Sequence, residues 1–261
     1  MGEIMDLFWI KLILSFFIGG TYIAFTIWIA EKFGSKIGGI ILGLPSTTLV
    51  SLIFIAWTQD VSAVLTALPT TTAALSVSAL FVSAFILSYR YGIKIAFSIA
   101  FLIWGSLGVL LVLLKLDLLF SILFAIGIYA ITIPILNRFP DKKIDNTTSS
   151  HAEFFYRAIF AGSVIFTAVL LGKYLGPVWG GVFGVFPAGF TSSLYLLSNK
   201  HGFGFTASVA RTMPLGSIGS VVFVIALYYL ISIVGFVPAI AISYMLSAVY
   251  AILLYFIFLN K

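Results

Sequence analysis

The chain has 261 residues, of which 62% are hydrophobic and only 8% charged, and its mean hydropathy is +1.20. A soluble domain carries roughly 25% charged residues, so water is excluded as the main solvent of this fold. Cysteine is absent, which excludes disulfide frameworks, thiolate metal sites and cysteine nucleophiles.

A spanning helix needs about 20 mostly apolar residues. Apolar runs of that kind fall at Leu7–Ala30, Ile37–Trp57, Val61–Ser88, Lys94–Leu114 and Leu118–Leu136. After a polar stretch, 137–153, further runs follow at Phe154–Gly172, Trp179–Ser198, Phe205–Leu230 and Val237–Leu259. The expectation is an all-α polytopic membrane protein of about nine transmembrane helices, its third and eighth runs long enough to tilt or to hold a separate half-helix. The acidic N-terminus, Met1 to Asp6, lacks the basic stretch of a secretory signal, so the first run is expected to be a permanent span.

The net charge of +6 would suggest nucleic acid in a soluble protein. Here the basic residues lie in short segments between apolar runs, which topology explains without a nucleic-acid partner. Lys32, Lys36, Arg90, Lys94, Arg138, Lys142, Lys143, Lys200 and Lys261 share one side, leaving Lys115, Lys173 and Lys11 for the other. The positive-inside rule then predicts an outside N-terminus and a cytoplasmic C-terminus. The sequon at Asn146 would face the cytoplasm and is discounted as a chance match.

Sliding the chain by 142 positions lays residues 18–54 over 160–196 without a gap. Gly20 meets Gly162, Gly34 meets Gly176, Gly38-Gly39 meets Gly180-Gly181, Pro45 meets Pro187 and Ser51 meets Ser193. With three residues inserted, Pro69 meets Pro214. Matched glycines and prolines mark shared backbone requirements, whereas matched apolar residues follow from composition. The second copy begins five crossings after the first, so the two enter the membrane from opposite sides. This predicts two inverted four-helix repeats, 1–114 and 154–261, joined by one linking helix and a cytoplasmic loop over 115–153. Inverted repeats recur in secondary transporters.

The stretches GGIILGLPST (Gly38 to Thr47) and GGVFGVFP (Gly180 to Pro187) resemble the glycine-then-proline opening of the second span in the small GlpM-like inner-membrane family. That family has four spans and about half this length, so the resemblance implies a duplicated, fused relative in a prokaryotic inner membrane. It also implies a link to envelope glycolipid or polysaccharide. The chain departs from the family in its fusion through the fifth span, and in Pro-Ser-Thr and Pro-Ala-Gly where Pro-Thr-Phe is usual.

Pro45 and Pro187 lie near mid-span, each after glycines and before small or hydroxyl residues. Proline suits the first turn of a helix, so each motif can begin a half-helix in mid-membrane. Inversion would bring the two positive N-terminal ends together, which suits an anion or a polar neutral solute. The candidate substrate-binding residues are therefore Pro45, Ser46, Thr47, Ser51, Thr70, Thr71, Pro187, Thr191, Ser193, Arg211, Pro214 and Ser217. Against this stands the plain reading of each proline as a kink, with its hydroxyls bonded to the preceding turn. Arg211, three residues before Pro214 and about two turns inside its span, either serves the site or reaches the membrane edge along its stem. Lys11 and Arg157 are expected to reach the edge.

Asp60, Asp117 and Glu153 all fall at span edges, which argues against a carboxylate proton relay through the centre. His151 and His201 sit in predicted loops without metal-ligand spacing, so no metal or other cofactor is expected. A sodium ion at the broken helices, and assembly with further copies of the chain, stay open. The leading expectation is a transporter or permease for a small anionic or polar solute in the lipid bilayer. The alternative is an accessory or lipid-handling protein for envelope glycolipid. An intramembrane enzyme is not expected, since GxSxG, HExxH and a central carboxylate pair are missing.

Overall fold

The structure, a computed structural model, describes residues 2–32, 40–139 and 150–259. The Gly34, Gly38 and Gly39 positions, the sequon at Asn146 and the loop lysines Lys36, Lys142, Lys143 and Lys261 lie outside the described residues. The helices are α1 (Gly2–Lys32), α2 (Ser46–Thr58), α3 (Val61–Ser88), α4 (Ile93–Leu114), α5 (Leu118–Leu136), α6 (His151–Leu175), α7 (Pro177–Gly184), α8 (Ala188–Val234) and α9 (Phe236–Leu259). There is no strand among the described residues. Among the described residues, eight helical segments are long and apolar enough to cross a membrane, which makes the chain a multi-pass membrane protein.

The predicted seventh and eighth runs, Trp179–Ser198 and Phe205–Leu230, meet at a sharp turn and not at an extended loop. Gly202, with φ 72° and ψ −175°, interrupts the helix between them, and the seventh run is itself broken between Gly184 and Ala188. Glycine alone adopts that conformation without a Cβ clash, so the chain turns there while helical hydrogen bonding persists on both sides. His201, predicted in a loop, is half-buried beside this turn, its ring edge-on to Phe205 at 5.1 Å.

Elsewhere the boundaries follow from local chemistry at the membrane edge. Asp60 accepts the Ala63 amide at 2.8 Å and starts α3, and Asp117 accepts the Phe120 amide at 2.9 Å and starts α5. Ser150 and Glu153 form a capping box at α6. The Ser62 hydroxyl, at 2.6 Å, and then the Ala63 amide hold the Asp60 carboxyl below its usual range. Lys11 reaches the carbonyl of Trp57 at 2.6 Å, at the end of α2.

Lipid is as apolar as leucine, so helices here associate by close packing and internal hydrogen bonds. The centre is accordingly α3, rich in alanine, serine and threonine and buried along most of its length. It touches α2, α4, α5, α7 and α8. The outer helices α4, α5 and α9 turn large apolar side chains such as Leu102, Leu113 and Met245 outward, to where lipid would lie. At the crossing of α1 and α6, a methyl on Gly20 would strike the carbonyl of Ala158, and one on Gly162 would strike that of Phe16. Gly20 and Gly162 are 142 positions apart, and so are Phe16 and Ala158, so the two contacts are reciprocal.

Candidate functional site

Two helix breaks face each other in the middle of the chain's most buried region. At the first, the Gly43 amide bonds Ile40 O, the Leu44 amide bonds Ile41 O, the Ser46 amide bonds Leu44 O at 2.7 Å, and the Leu49 amide bonds Pro45 O. At the second, the amides of Val185, Phe186, Ala188 and Thr191 bond the oxygens of Val182, Phe183, Phe186 and Pro187 in the same sequence. Pro45 sits at φ −74° and ψ 43°, Pro187 at φ −76° and ψ 53°. The same four-bond pattern at the same backbone angles, 142 residues apart, means that Gly/Val-X-Pro imposes one local fold twice. Each proline is the N-cap of the helix that follows, α2 and α8, and neither helix has a side-chain cap.

The two N-termini open on one small cavity of about 40 Å³. Its walls include Ser46, Thr47 and Thr48 from α2, Ala188, Gly189 and Phe190 from α8, and Ser78, Ser217 and Ser220 from the central helices. Helix breaks free carbonyl groups, and in lipid each unpaired one costs several kcal/mol. Here Ser220 Oγ donates to Gly43 O at 2.6 Å and Ser78 Oγ donates to Val185 O at 3.3 Å. Each break is thus pinned by a serine from a helix of the other half. Gly43 also lies backbone to backbone against Gly216 and Ser217, leaving no room for a Cβ. On the Phe186 side the wall is aromatic, with Trp104 at 4.9 Å, Phe101 at 5.8 Å and Phe160 at 6.0 Å.

The predicted residues divide. Ser46, Thr47, Pro187 and Ser217 line this cavity, and Pro45 is the buried cap beside it. Ser51 lies one turn farther along α2, its Oγ 3.5 Å from Gly184 O. Thr71 donates to Ala67 O and packs against Gly181, and Thr70 is buried on the same helix. Pro69 and Pro214 do not begin half-helices: both sit inside continuous helices. Pro214 O instead accepts the Ser217 hydroxyl at 2.8 Å, and Tyr129 OH lies 3.0 Å from Ser217 Oγ. Ser193 is buried on α8. Arg211 is half-buried on α8, outside the linings of the three cavities described here.

Thr191 lies in a second cavity, of about 470 Å³, with Glu153, Arg157, Ser192 and Tyr195. Arg157, expected at the membrane edge, is only 3% exposed, and Lys200 pairs with Glu153 at 2.7 Å near the same mouth. A third, almost wholly apolar cavity of about 530 Å³ runs between α5 and α8 along Ile122, Ile126, Ile133, Ile218 and Ile225. Tyr129 lines it, so the Tyr129–Ser217 pair stands between this groove and the polar cavity.

Ser78 was not singled out from the sequence. The gapless slide of 142 positions, carried past residue 54, pairs it with Ser220; the inserted gap that aligns Pro69 with Pro214 hides that match.

A DUF3147 domain covers residues 12–117. The family is described only as a protein of unknown function, and the match takes in less than half of the chain, from α1 to the turn after α4. Neither a curated protein nor a solved structure matches the sequence.

Proposed function

We propose that this protein is a secondary transporter or permease for a small anionic or polar solute, with its site where the two helix breaks meet near the membrane midplane. The observation that carries this reading is the convergence of two uncapped helix N-termini, built by the same backbone turn 142 residues apart, on one polar cavity. Discontinuous helices whose ends meet in this way are how many transporters present backbone groups to a solute inside a bilayer.

The architecture we infer is nine crossings in two inverted repeats, 1–114 and 154–261, with α5 as the linking helix. Splitting the long segment at Gly202 supplies the ninth crossing. Contacts of α1 with α2 are matched by those of α6 with α7, and contacts of α3 with α4 by those of α8 with α9, while α5 touches both α3 and α8. The reciprocal glycine contacts of α1 with α6 add to this support. The DUF3147 domain ends close to the proposed end of the first repeat, in keeping with duplication of a four-span, GlpM-like unit. On this reading the protein lies in a prokaryotic inner membrane with its N-terminus outside, and it needs no cofactor or enzymic chemistry.

The test is transport by reconstituted vesicles, with solutes first selected by their stabilisation of the purified protein. Pro45→Ala, Pro187→Ala and Arg211→Ala are expected to impair flux while membrane expression stays near normal. Wild-type flux in all three would remove the midplane site.

A second reading, lipid handling for envelope glycolipid, draws on the apolar groove between α5 and α8 that ends at Tyr129. Stabilisation by lipid or glycolipid alone would favour it.

A further inference from the structure

The polar groups around the central cavity are unevenly matched. All six carbonyls of the two breaks already accept hydrogen bonds. Gly43 O and Val185 O take the serine hydroxyls of Ser220 and Ser78. Leu44 O and Phe186 O take the amides of Ser46 and Ala188, both at 2.7 Å, and Pro45 O and Pro187 O take those of Leu49 and Thr191. On the donor side, the amides of Thr47 and Thr48 at one N-terminus, and of Gly189 and Phe190 at the other, make no backbone bond outside their helices among the described residues. First-turn amides have no acceptor within their own helix either, and no side chain caps them. Thr48 lines the cavity and is 2% exposed, and its hydroxyl bonds no group among the described residues.

Amides without acceptors thus face a space in which each break carbonyl already takes one hydrogen bond. Each helix N-terminus also presents about half a unit of positive charge, so two together balance about one negative charge. No acidic or basic side chain lines the cavity. The cavity is small, about 40 Å³ against about 470 and 530 Å³ for the other two, which favours a halide or a small oxyanion over a sugar or an amino acid.

We propose that the cavity is a binding site for a small monovalent anion, held by the amides of Thr47, Thr48, Gly189 and Phe190 and by the Thr48 hydroxyl. Ser78 and Ser220 act as positioning residues: by engaging the carbonyls at the breaks they set the site against cations. This rests on the transporter reading for its biological sense but not for its chemistry, since binding can be measured without flux.

The experiment is the thermal unfolding of the purified full-length chain, titrated with choline nitrate, with choline chloride and, separately, with sodium gluconate. Saturable stabilisation by nitrate or chloride, and none by sodium gluconate, is expected. Thr48→Val, which removes one hydrogen bond to a charged ligand, is expected to weaken the anion response about tenfold. The double variant Ser78→Ala, Ser220→Ala is expected to lose anion preference and gain a sodium response. Serine pins with a merely structural role would lower the melting temperature without altering ion preference. Ser220→Thr, which keeps the hydroxyl, is expected to restore the wild-type preference if the alanine variant folds poorly.

Stabilisation by sodium gluconate alone in the wild type would overturn the proposal while leaving transport intact. An anion response unchanged by Thr48→Val would overturn the site. Saturable anion binding sensitive to Thr48, together with no flux of any tested solute in vesicles, would uphold the inference and remove the transporter reading instead.

Discussion

Two groups of helix N-termini stand in contrast, beside α4 and α7, which begin at Gly92 and Gly176 without a side-chain cap. At the membrane edge, α3, α5 and α6 each begin on a side chain that accepts a first-turn amide: Asp60, Asp117 and Ser150. In the interior, α2 and α8 begin on prolines that offer no such acceptor. The edge caps have water as a competitor, so each adds only modestly to stability. The interior starts are buried beside the central cavity, where an open amide without an acceptor is costly. The difference lies in what the first-turn amides meet: a side-chain acceptor at Asp60, Asp117 and Ser150, and the central cavity at Pro45 and Pro187.

The largest expected effect comes from forcing the interior breaks apart. Gly43 meets the backbone of Gly216 and Ser217, where no flexible side chain can yield. Gly43→Val is expected to cost more than about 3 kcal/mol, the upper end of overpacking effects, and to abolish a monodisperse detergent-solubilised species in size-exclusion chromatography. Its counterpart at the second break is already valine, Val185, which shows that the requirement is set by the approach of α8 and not by the turn itself. Normal folding of Gly43→Val would mean that the two halves are not held in this register.

Next in size is the conversion of an interior start into an edge start. Pro187→Asp would place at the second break the acceptor that Asp60 and Asp117 provide at the surface. The proline's φ of −76° is open to any residue, and its i−4 carbonyl, Phe183 O, is already bonded to Phe186. The introduced carboxylate would bond the Gly189 and Phe190 amides and occupy the site with its own charge. Chloride or nitrate stabilisation is expected to fall by more than about tenfold, the scale of a charge-assisted hydrogen bond. Retention of full anion response in this variant would make the two kinds of terminus equivalent.

How much of this was legible from the residues depends on whether chain direction or helix rotation was at stake. The apolar runs, the edge carboxylates and the breaks at Pro45 and Pro187 are written along the chain, in Gly, Pro and Asp at fixed spacings. That Pro69 and Pro214 stay within continuous helices was not legible. A proline inside a helix frees the carbonyl four residues before it, that of Ala210 for Pro214, and whether this is tolerated depends on neighbours that sequence does not place. Ser78 was hidden because α3 carries buried hydroxyls on every face, at Thr70, Thr71, Thr72, Ser76, Ser78 and Ser83, so periodicity singles out none of them. Arg157 was expected at the edge from its closeness to the start of α6, yet the packing around that helix buries it.

The smallest effect belongs to the edge caps, and it is a dependence on pH. Asp60 is fully exposed, and its carboxyl is held below the ordinary value of 3.8 by the Ser62 hydroxyl and the Ala63 amide, which favour the ionised form. A carboxyl whose value is lowered in the folded state contributes stability that is fully present above the unfolded value and is lost as pH falls through the folded one. The melting temperature is therefore expected to decline slightly as pH is lowered from 5 through 3.8 and below, with the part due to Asp60 removed in Asp60→Asn. The central cavity holds no carboxylate in its lining, so this titration should leave the chloride and nitrate responses unaltered. If the anion response instead tracked the Asp60 titration, the separation between edge and interior termini would fail, because the surface cap and the buried site would then share one equilibrium.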